Sequence, residues 1–324
     1  MDLKNKRVLS GIQPSGLLHL GNYFGMIEKM KDFQDNSELF CFVANYHSLT
    51  TINDKDSLRD FTDDLFINLI SLGIDPNKST IWIQSDVPEV TELSWILSNF
   101  SSVGLMQRST AYKDKISKGF KPMMGLFSYP ILMASDILSF NAEIIPVGED
   151  QKQHIEMTRD IALKFNNNFG EVLTLPEALI DKNKSLVPGI DNQKMSKSYN
   201  NIISIFDKEE IIKEQVYNIV TDSAGLNEKK NINSPLFKIY SLFLNGDEIN
   251  ELKNRYETPG LKYMEVKQEL YEIILEYFSE FRKIKTDLIS KPDDIEDLKK
   301  IGKNRAQEIA REVLDKVKFA TGLI

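Results

Sequence analysis

The strongest constraint on this chain is a change of period along it. Through roughly its first 200 residues, short β-type apolar runs alternate with segments whose apolar residues recur at helical spacing. "RVLSGI" reads as a strand, and "NYFGMIEKMKDF" as a helix with Phe24, Ile27 and Met30 on one face. "ELFCFVAN" is a second strand. The helix "DSLRDFTDDLFINLISLG" follows, with Ser57 and Asp60 expected as a capping box, Leu58, Phe61, Leu65, Leu69 and Leu72 as its apolar stripe, and Gly73 as its stop. "STIWIQSD" gives a third strand and "VPEVTELSWILSNF" a third helix. Strands alternating with helices form parallel βαβ units, so the sequence predicts an α/β fold with a doubly wound parallel sheet. After "KMSKSYNN" only long helical patterns remain, which predicts an α/β unit over 1–203 and an all-helical unit over 204–324.

Composition removes several classes of function. The chain has 324 residues, 41% hydrophobic and 27% charged, enough to bury a full core. Its longest apolar runs, such as "LFCFVA" and "SYPILMA", are far shorter than a membrane span, and "MDLKNKR" lacks the apolar stretch of a signal peptide. A cytoplasmic protein with no membrane partner is expected. Cys41 is the only cysteine, so the sequence predicts neither a disulfide framework nor a cysteine-held zinc or iron–sulfur cluster. Any metal should arrive with a substrate. The net charge of −8 disfavours indiscriminate nucleic-acid binding but leaves room for local basic patches.

The segment "SGIQPSGLLHLGNYFG" sits where the first strand should end. In an open parallel sheet that is the ligand end, and a glycine-rich turn there lets backbone N–H groups approach phosphates. ATP is the natural candidate. The spacing matches neither the dinucleotide fingerprint nor the P-loop. His19 and Asn22, three apart, share a face at a helix start and offer donors to a phosphate. The plainer reading is a capped helix with a surface histidine. Far downstream, "GIDNQKMSKS" presents Lys194 and Lys197 with Ser196 and Ser198 in a loop introduced by Pro188 and Gly189. Two mobile ammonium groups suit a leaving polyphosphate, although a solvated lysine loop would read the same alone.

Taken together, "HLGN" and "KMSKS" resemble the two signatures of the class I aminoacyl-tRNA synthetases. "SGIQPSG", "GNYFG", "YPILMASDIL", "PVGEDQKQHIEMTRDIALKFN" and "VTDSAG" are similar to the bacterial tryptophanyl members of that class, over essentially the whole chain. The resemblance implies a Rossmann catalytic domain, a helical domain that reads the anticodon, and a homodimer. It also implies a reaction: the carboxylate of L-tryptophan attacks the α-phosphate of ATP, supplied with Mg²⁺ as the substrate complex, and the tryptophanyl group then passes to tRNA(Trp).

The same resemblance implies residues. Gln13, Pro14, Ser15, Gly21 and Asn22 would line the ATP site, with His19 near the phosphates and Gly148, Glu149 and Asp150 along the nucleoside. Lys194 and Lys197 would hold the outer phosphates, Met195, Ser196 and Ser198 would belong to the same ATP site, and Lys115 would assist from across the cleft. For tryptophan, Asp136 would take the indole N–H, with Tyr129 and Gln151 toward the amino group. Met133, Val147, Leu9 and His47 would complete the pocket. Met133 and Val147 would also suit a core, whereas a carboxylate amid "SYPILMASDILSF" is awkward as core without a partner. If phenylalanine entered, Asp136 would be left unpaired, which predicts rejection of roughly 10⁴-fold.

The chain departs from the family pattern at three places. Leu9 stands where an aromatic residue is frequent, "NYH", ending at His47, replaces "DQH", and His19 replaces a frequent threonine. Two lysine-rich segments, Lys113, Lys115, Lys118 and Lys121, and Lys299, Lys300, Lys303 and Arg305, are the candidate RNA contacts. Tyrosyl specificity, or a synthetase-like protein without charging activity, are the alternatives.

Overall fold

A computed structural model describes residues 3–180 and 187–324. Five parallel strands, β1 (Arg7–Ile12), β2 (Glu38–Val43), β3 (Thr80–Ile83), β4 (Ile144–Pro146) and β5 (Glu177–Leu179), form one sheet in the order β3-β2-β1-β4-β5. β1 to β3 lie where the apolar runs place them. β4 and β5, at three residues each, are too short to leave a pattern that sequence reasoning could separate from its surroundings.

The order reverses between β1 and β4, and there the two strands share a single register point, Val8 with Ile144, before parting. β1 and β2, by contrast, pair along six positions. This is the switch point at which an open α/β sheet leaves a crevice at its carboxyl edge. Alternation along β1 divides two cores. Val8 and Ile12 join the cluster that carries the Leu20–Asn36 helical run, whereas Leu9 faces a second cluster with Phe40, Phe42, Trp82 and Ile145.

The Lys55–Ser71 helix is capped three residues earlier than expected. Asp54, not Ser57, is its N-cap, its carboxylate accepting from the Ser57 N–H at 2.8 Å. Leu65, Leu69 and Leu72 are fully buried, as the stripe predicts. The first helical run contains a π-helical turn, Tyr23–Ile27, directly after the "HLGN" segment. Tyr23 packs edge-on against Phe24 and against Tyr277 and Phe278 of the later helices, joining the first turn to the helical region.

Among the described residues no strand follows β5, so the chain beyond residue 203 is helical as read. Its last helix nevertheless belongs with the sheet. The 30-residue Pro292–Thr321 helix runs back across β3, burying Ala306 and Ala310 beside Trp82, and Val313, Leu314 and Val317 beside Leu97 and Met106. Contact is so close that a Cβ on Gly302 would lie 1.7 Å from the Ile81 carbonyl oxygen. The division at 203/204 is visible as a change of texture, but 292–321 packs as part of the first unit. Its return could not be read from helical periodicity, which shows a buried face and not what buries it.

Gly302→Ala should therefore push the helix off β3 and cost about 3 kcal/mol. Thermal unfolding should show a Tm lowered by roughly 5–10 °C. Gly246→Ala, at a helix start with open space around the added carbon, should leave Tm within about 1–2 °C.

Candidate active site

All four strand ends at the crevice contribute. The turn after β1 carries Gln13 and Ser15 exposed and Pro14 buried, and it closes at Gly16, whose φ of +102° suits only glycine. A Cβ there would stand 3.5 Å from Lys197 Nζ and 3.6 Å from the Phe61 ring. The amine of Lys197 is thus held against the first turn, beside the Lys55–Ser71 helix. Burial there lowers the Lys197 ammonium to a pKa of about 8, with the Asp64 carboxylate, one turn beyond Phe61, opposing the shift.

His19 is not the surface histidine of the plainer reading. It is 6% exposed, and burial, with the nearby Lys197 charge, lowers its pKa to about 4, so the imidazole is neutral. Its Nδ1 has no hydrogen-bond partner among the described residues. Asn22 closes back on it, accepting from the His19 N–H at 3.2 Å. That bond commits the Asn22 carbonyl oxygen and leaves its amide N–H₂ as the donor. The segment is tied to the start of the helical region, Leu20 N–H donating to Ile203 O at 3.0 Å and Ile205 N–H to Leu18 O at 3.2 Å.

The lysine loop folds over the same place. The Gly21 N–H points at the Met195 sulfur at 3.3 Å, so Met195, 4% exposed, plugs the loop onto the "HLGN" turn. Lys194 is exposed, its backbone bridged to Pro188. Asn201, which sequence reasoning did not single out, organises the loop. Its amide donates to Asp191 Oδ1 at 2.7 Å and to the Lys194 carbonyl at 3.1 Å, while its oxygen accepts from the Ser196 N–H at 2.7 Å. Lys197–Tyr199 forms a single 3₁₀ turn. The Ser198 side chain lies outside the described residues. On the far side of β4, Gly148, Glu149 and Asp150 are exposed and begin the 3₁₀ turn that leads into the Lys152–Phe169 helix.

The other half of the crevice is built around a carboxylate. Asp136, on the Met124–Leu138 helix, is 2% exposed. His47, which follows β2, meets its Oδ2 through Nε2 at 2.8 Å. Gln84, which follows β3, donates from Nε2 to Oδ1 at 2.8 Å and to Oδ2 at 2.9 Å. The buried acid therefore has the partners that burial demands. Gln84 was missed in the sequence, although a polar residue straight after an apolar strand, at the ligand edge of the sheet, is a usable signal.

Met133 and Val147 pack as partly buried members of the cluster that contains Leu9. Tyr129 meets His154 Nε2 at 2.8 Å through its hydroxyl, and the Lys115 amine sits 5.1 Å from the centre of the Tyr129 ring. Burial lowers the pKa of Lys115. The two half-buried lysines thus occupy different walls, Lys197 at Gly16 and Lys115 at Tyr129. The Gln151 amide donates to Asp150 Oδ2 at 3.0 Å. Among the described residues, no group of three or more His, Cys, Asp or Glu side chains is arranged to hold a metal ion.

The chain is similar to known proteins over most of its length. The model of the family described as tRNA synthetases class I (W and Y) matches residues 1–279. A tryptophan–tRNA ligase of Fusobacterium nucleatum is 49% identical over 320 residues, 98% of each chain. One of Campylobacter jejuni is 48% identical over 98% of this chain and 100% of that one. The crystal structure of tryptophanyl-tRNA synthetase from Campylobacter jejuni complexed with ADP and tryptophan superposes with a TM-score of 0.92, at 48% identity, over 98% of this chain and 99% of that one. A buried, donor-held carboxylate, a glycine turn and a lysine loop at one Rossmann switch point, with likeness along the whole chain, lead to one conclusion: the chain belongs to the bacterial tryptophanyl-tRNA synthetase family, of the class I aminoacyl-tRNA synthetases.

Proposed function

We propose that this enzyme is a tryptophan–tRNA ligase that joins L-tryptophan to ATP and then to tRNA(Trp). A carboxylate oxygen of tryptophan attacks the α-phosphorus, the bond from that phosphorus to the bridging oxygen breaks, and pyrophosphate leaves. The adenylate then passes its tryptophanyl group to the 3′-terminal ribose. The single observation that carries the reading is Asp136, a buried carboxylate held at the crevice by His47 and Gln84 with one lone pair of Oδ1 to spare.

No protein nucleophile is required, so the work is positioning and charge compensation. The turn of Gln13, Pro14, Ser15, Gly21 and Asn22, with Gly148, Glu149 and Asp150, would seat ATP. Lys194 and Lys197 would draw the outer phosphates, and Mg²⁺ would come with the nucleotide. Neutral His19 adds no charge of its own there. Lys115, through Tyr129, stands on the amino-acid side. Tyr129 and Gln151 would receive the ammonium group, and Leu9, Met133 and Val147 the ring. Pyrophosphate exchange into ATP, measured with single amino acids, tests the reading. Exchange driven by tryptophan is expected; exchange driven only by tyrosine, or by none, would overturn it.

Burial of Lys197 gives the reaction a pH signature. Phosphate oxygens need the ammonium form, and the free enzyme loses that proton near pH 8. The KM for ATP should be flat below that value and rise with pH above it, by up to about tenfold per unit. In Lys197→Arg the rise should disappear, because guanidinium keeps its charge throughout.

Several features of the assembly extend this proposal. A homodimer would cover large apolar side chains left exposed, among them Trp95, Met123 and Met124. The helical region would read the anticodon. Of the two lysine-rich segments, the first suits RNA better. In the second, Lys299 is engaged by Asp63 and Glu296 at 2.8 Å each, and Arg305 donates to the Pro76 carbonyl, so both hold the last helix in place. No described helix is long and apolar enough to cross a membrane, and a cytoplasmic setting is where tRNA and ATP meet.

A further inference from the structure

Gln84 lies in the 3₁₀ turn that ends β3, 1% exposed. Its two amide atoms have no freedom of assignment. The Tyr46 backbone N–H, which can only donate, reaches Gln84 Oε1 at 2.9 Å, so that atom is the oxygen and the N–H₂ must face Asp136. There Nε2 spans both carboxylate oxygens. His47 Nε2 approaches Oδ2 from the β2 side, which requires the tautomer that carries its proton there. Oδ2 is thereby filled twice and Oδ1 once.

The consequence is a wall of one polarity. The His47 Nε2–H and one Gln84 N–H are spent on the carboxylate, and among the described residues a single acceptor site remains on Oδ1. An indole nitrogen, a donor with no lone pair to satisfy, matches it. A phenol could donate to the same site, but its oxygen also brings lone pairs that the carboxylate cannot satisfy. A phenyl or other ring without N–H leaves the last acceptor unfilled.

We propose that Gln84 is a positioning residue that sets the choice of amino acid: by fixing Asp136 across both oxygens, it reserves one Oδ1 lone pair for a donor-only ring atom. This rests on the ligase reading above. Gln84 touches no reacting atom in it and acts only through Asp136.

The test compares tryptophan with 3-(benzothiophen-3-yl)alanine, a near-isostere with sulfur in place of N–H, in pyrophosphate exchange. Wild type should prefer tryptophan by roughly 10–100-fold in kcat/KM, the value of one hydrogen bond to a charged group. In Gln84→Met, kcat/KM for tryptophan should fall by about 10–100-fold, mostly through KM, and the preference should shrink to less than about fivefold. Gln84→Asn, which withdraws the amide by one methylene and stays polar, should change both in the same direction, and covers the case in which Gln84→Met does not fold. A preference that stays at the wild-type value would overturn the proposal. So would a parallel loss on both substrates, since that is what a purely structural role gives. Wild-type enzyme that fails to exchange with tryptophan at all would instead overturn the ligase reading, and this inference with it.

Discussion

Lys194→Ala and Lys197→Ala should each lose adenylate formation by about 10²-fold or more, with tryptophan affinity nearly unchanged. Negative charge grows on the leaving pyrophosphate and nowhere else at the site, so a cation there is worth most in the transition state. The two variants should nonetheless differ in their ground state. Lys197 sits half-buried against Gly16, beside the helix that carries Asp64, and its ammonium already bears a desolvation cost before ATP arrives. Removing it relieves that cost, and stability should not fall. Lys194 is exposed, and only the phosphates would give its amine a fixed position. Its loss should show in kcat with little change in Tm. Exchange kinetics and tryptophan binding measured on both variants decide the matter; unaltered exchange in both would remove the lysine loop from the chemistry.

How much of this was legible before the structure depends on the range of the interaction. β1, β2 and β3 are written mainly in local information, runs of Val, Leu, Ile and Phe recognisable in a short window, and they lie where expected. β4 and β5 are held by neighbours on the sheet, and nothing within three residues announces them. The cap at Asp54 was lost for a related reason: "DKDS" offers several acceptable caps within four residues, and packing selects among them. The site divides in the same way. The glycine turn and the lysine loop are contiguous motifs and could be quoted. The Asn201 clamp on the loop and the Gln84 contact to Asp136, 52 residues apart, are products of topology, which brings the ends of separate strands together. Leu9 departs from the family pattern and His47 follows a departure from it, yet both take up places beside the crevice, Leu9 in the core beneath it and His47 on the acid.

Asp136→Ala should reduce kcat/KM for tryptophan by about 10–10²-fold and shrink the preference over phenylalanine to what pocket shape alone gives. The structure changes the reasoning that the sequence alone suggests. A carboxylate with no partner would be left bare by phenylalanine. Here it keeps three donor contacts from His47 and Gln84, and only one lone pair goes unfilled. That cost is about 1.5–3 kcal/mol, to which pocket shape adds about 1–3, so rejection of phenylalanine should lie between roughly 10² and 10⁴-fold. The same contacts make Asp136→Ala harder on the protein than on the ligand. Two buried donors, Gln84 Nε2 and His47 Nε2, lose their acceptor at once, at about 1–3 kcal/mol each, and Tm should fall as well. Asp136→Asn should lie between. Its oxygen can still accept from Gln84, but its N–H₂ needs an acceptor, which His47 can supply only by shifting its proton to Nδ1, while Gln84 is pinned by the Tyr46 N–H and cannot turn. Pyrophosphate exchange with both amino acids, read beside thermal unfolding, separates the two effects. An Asp136→Ala enzyme that keeps the wild-type preference would show that another group reads the indole nitrogen.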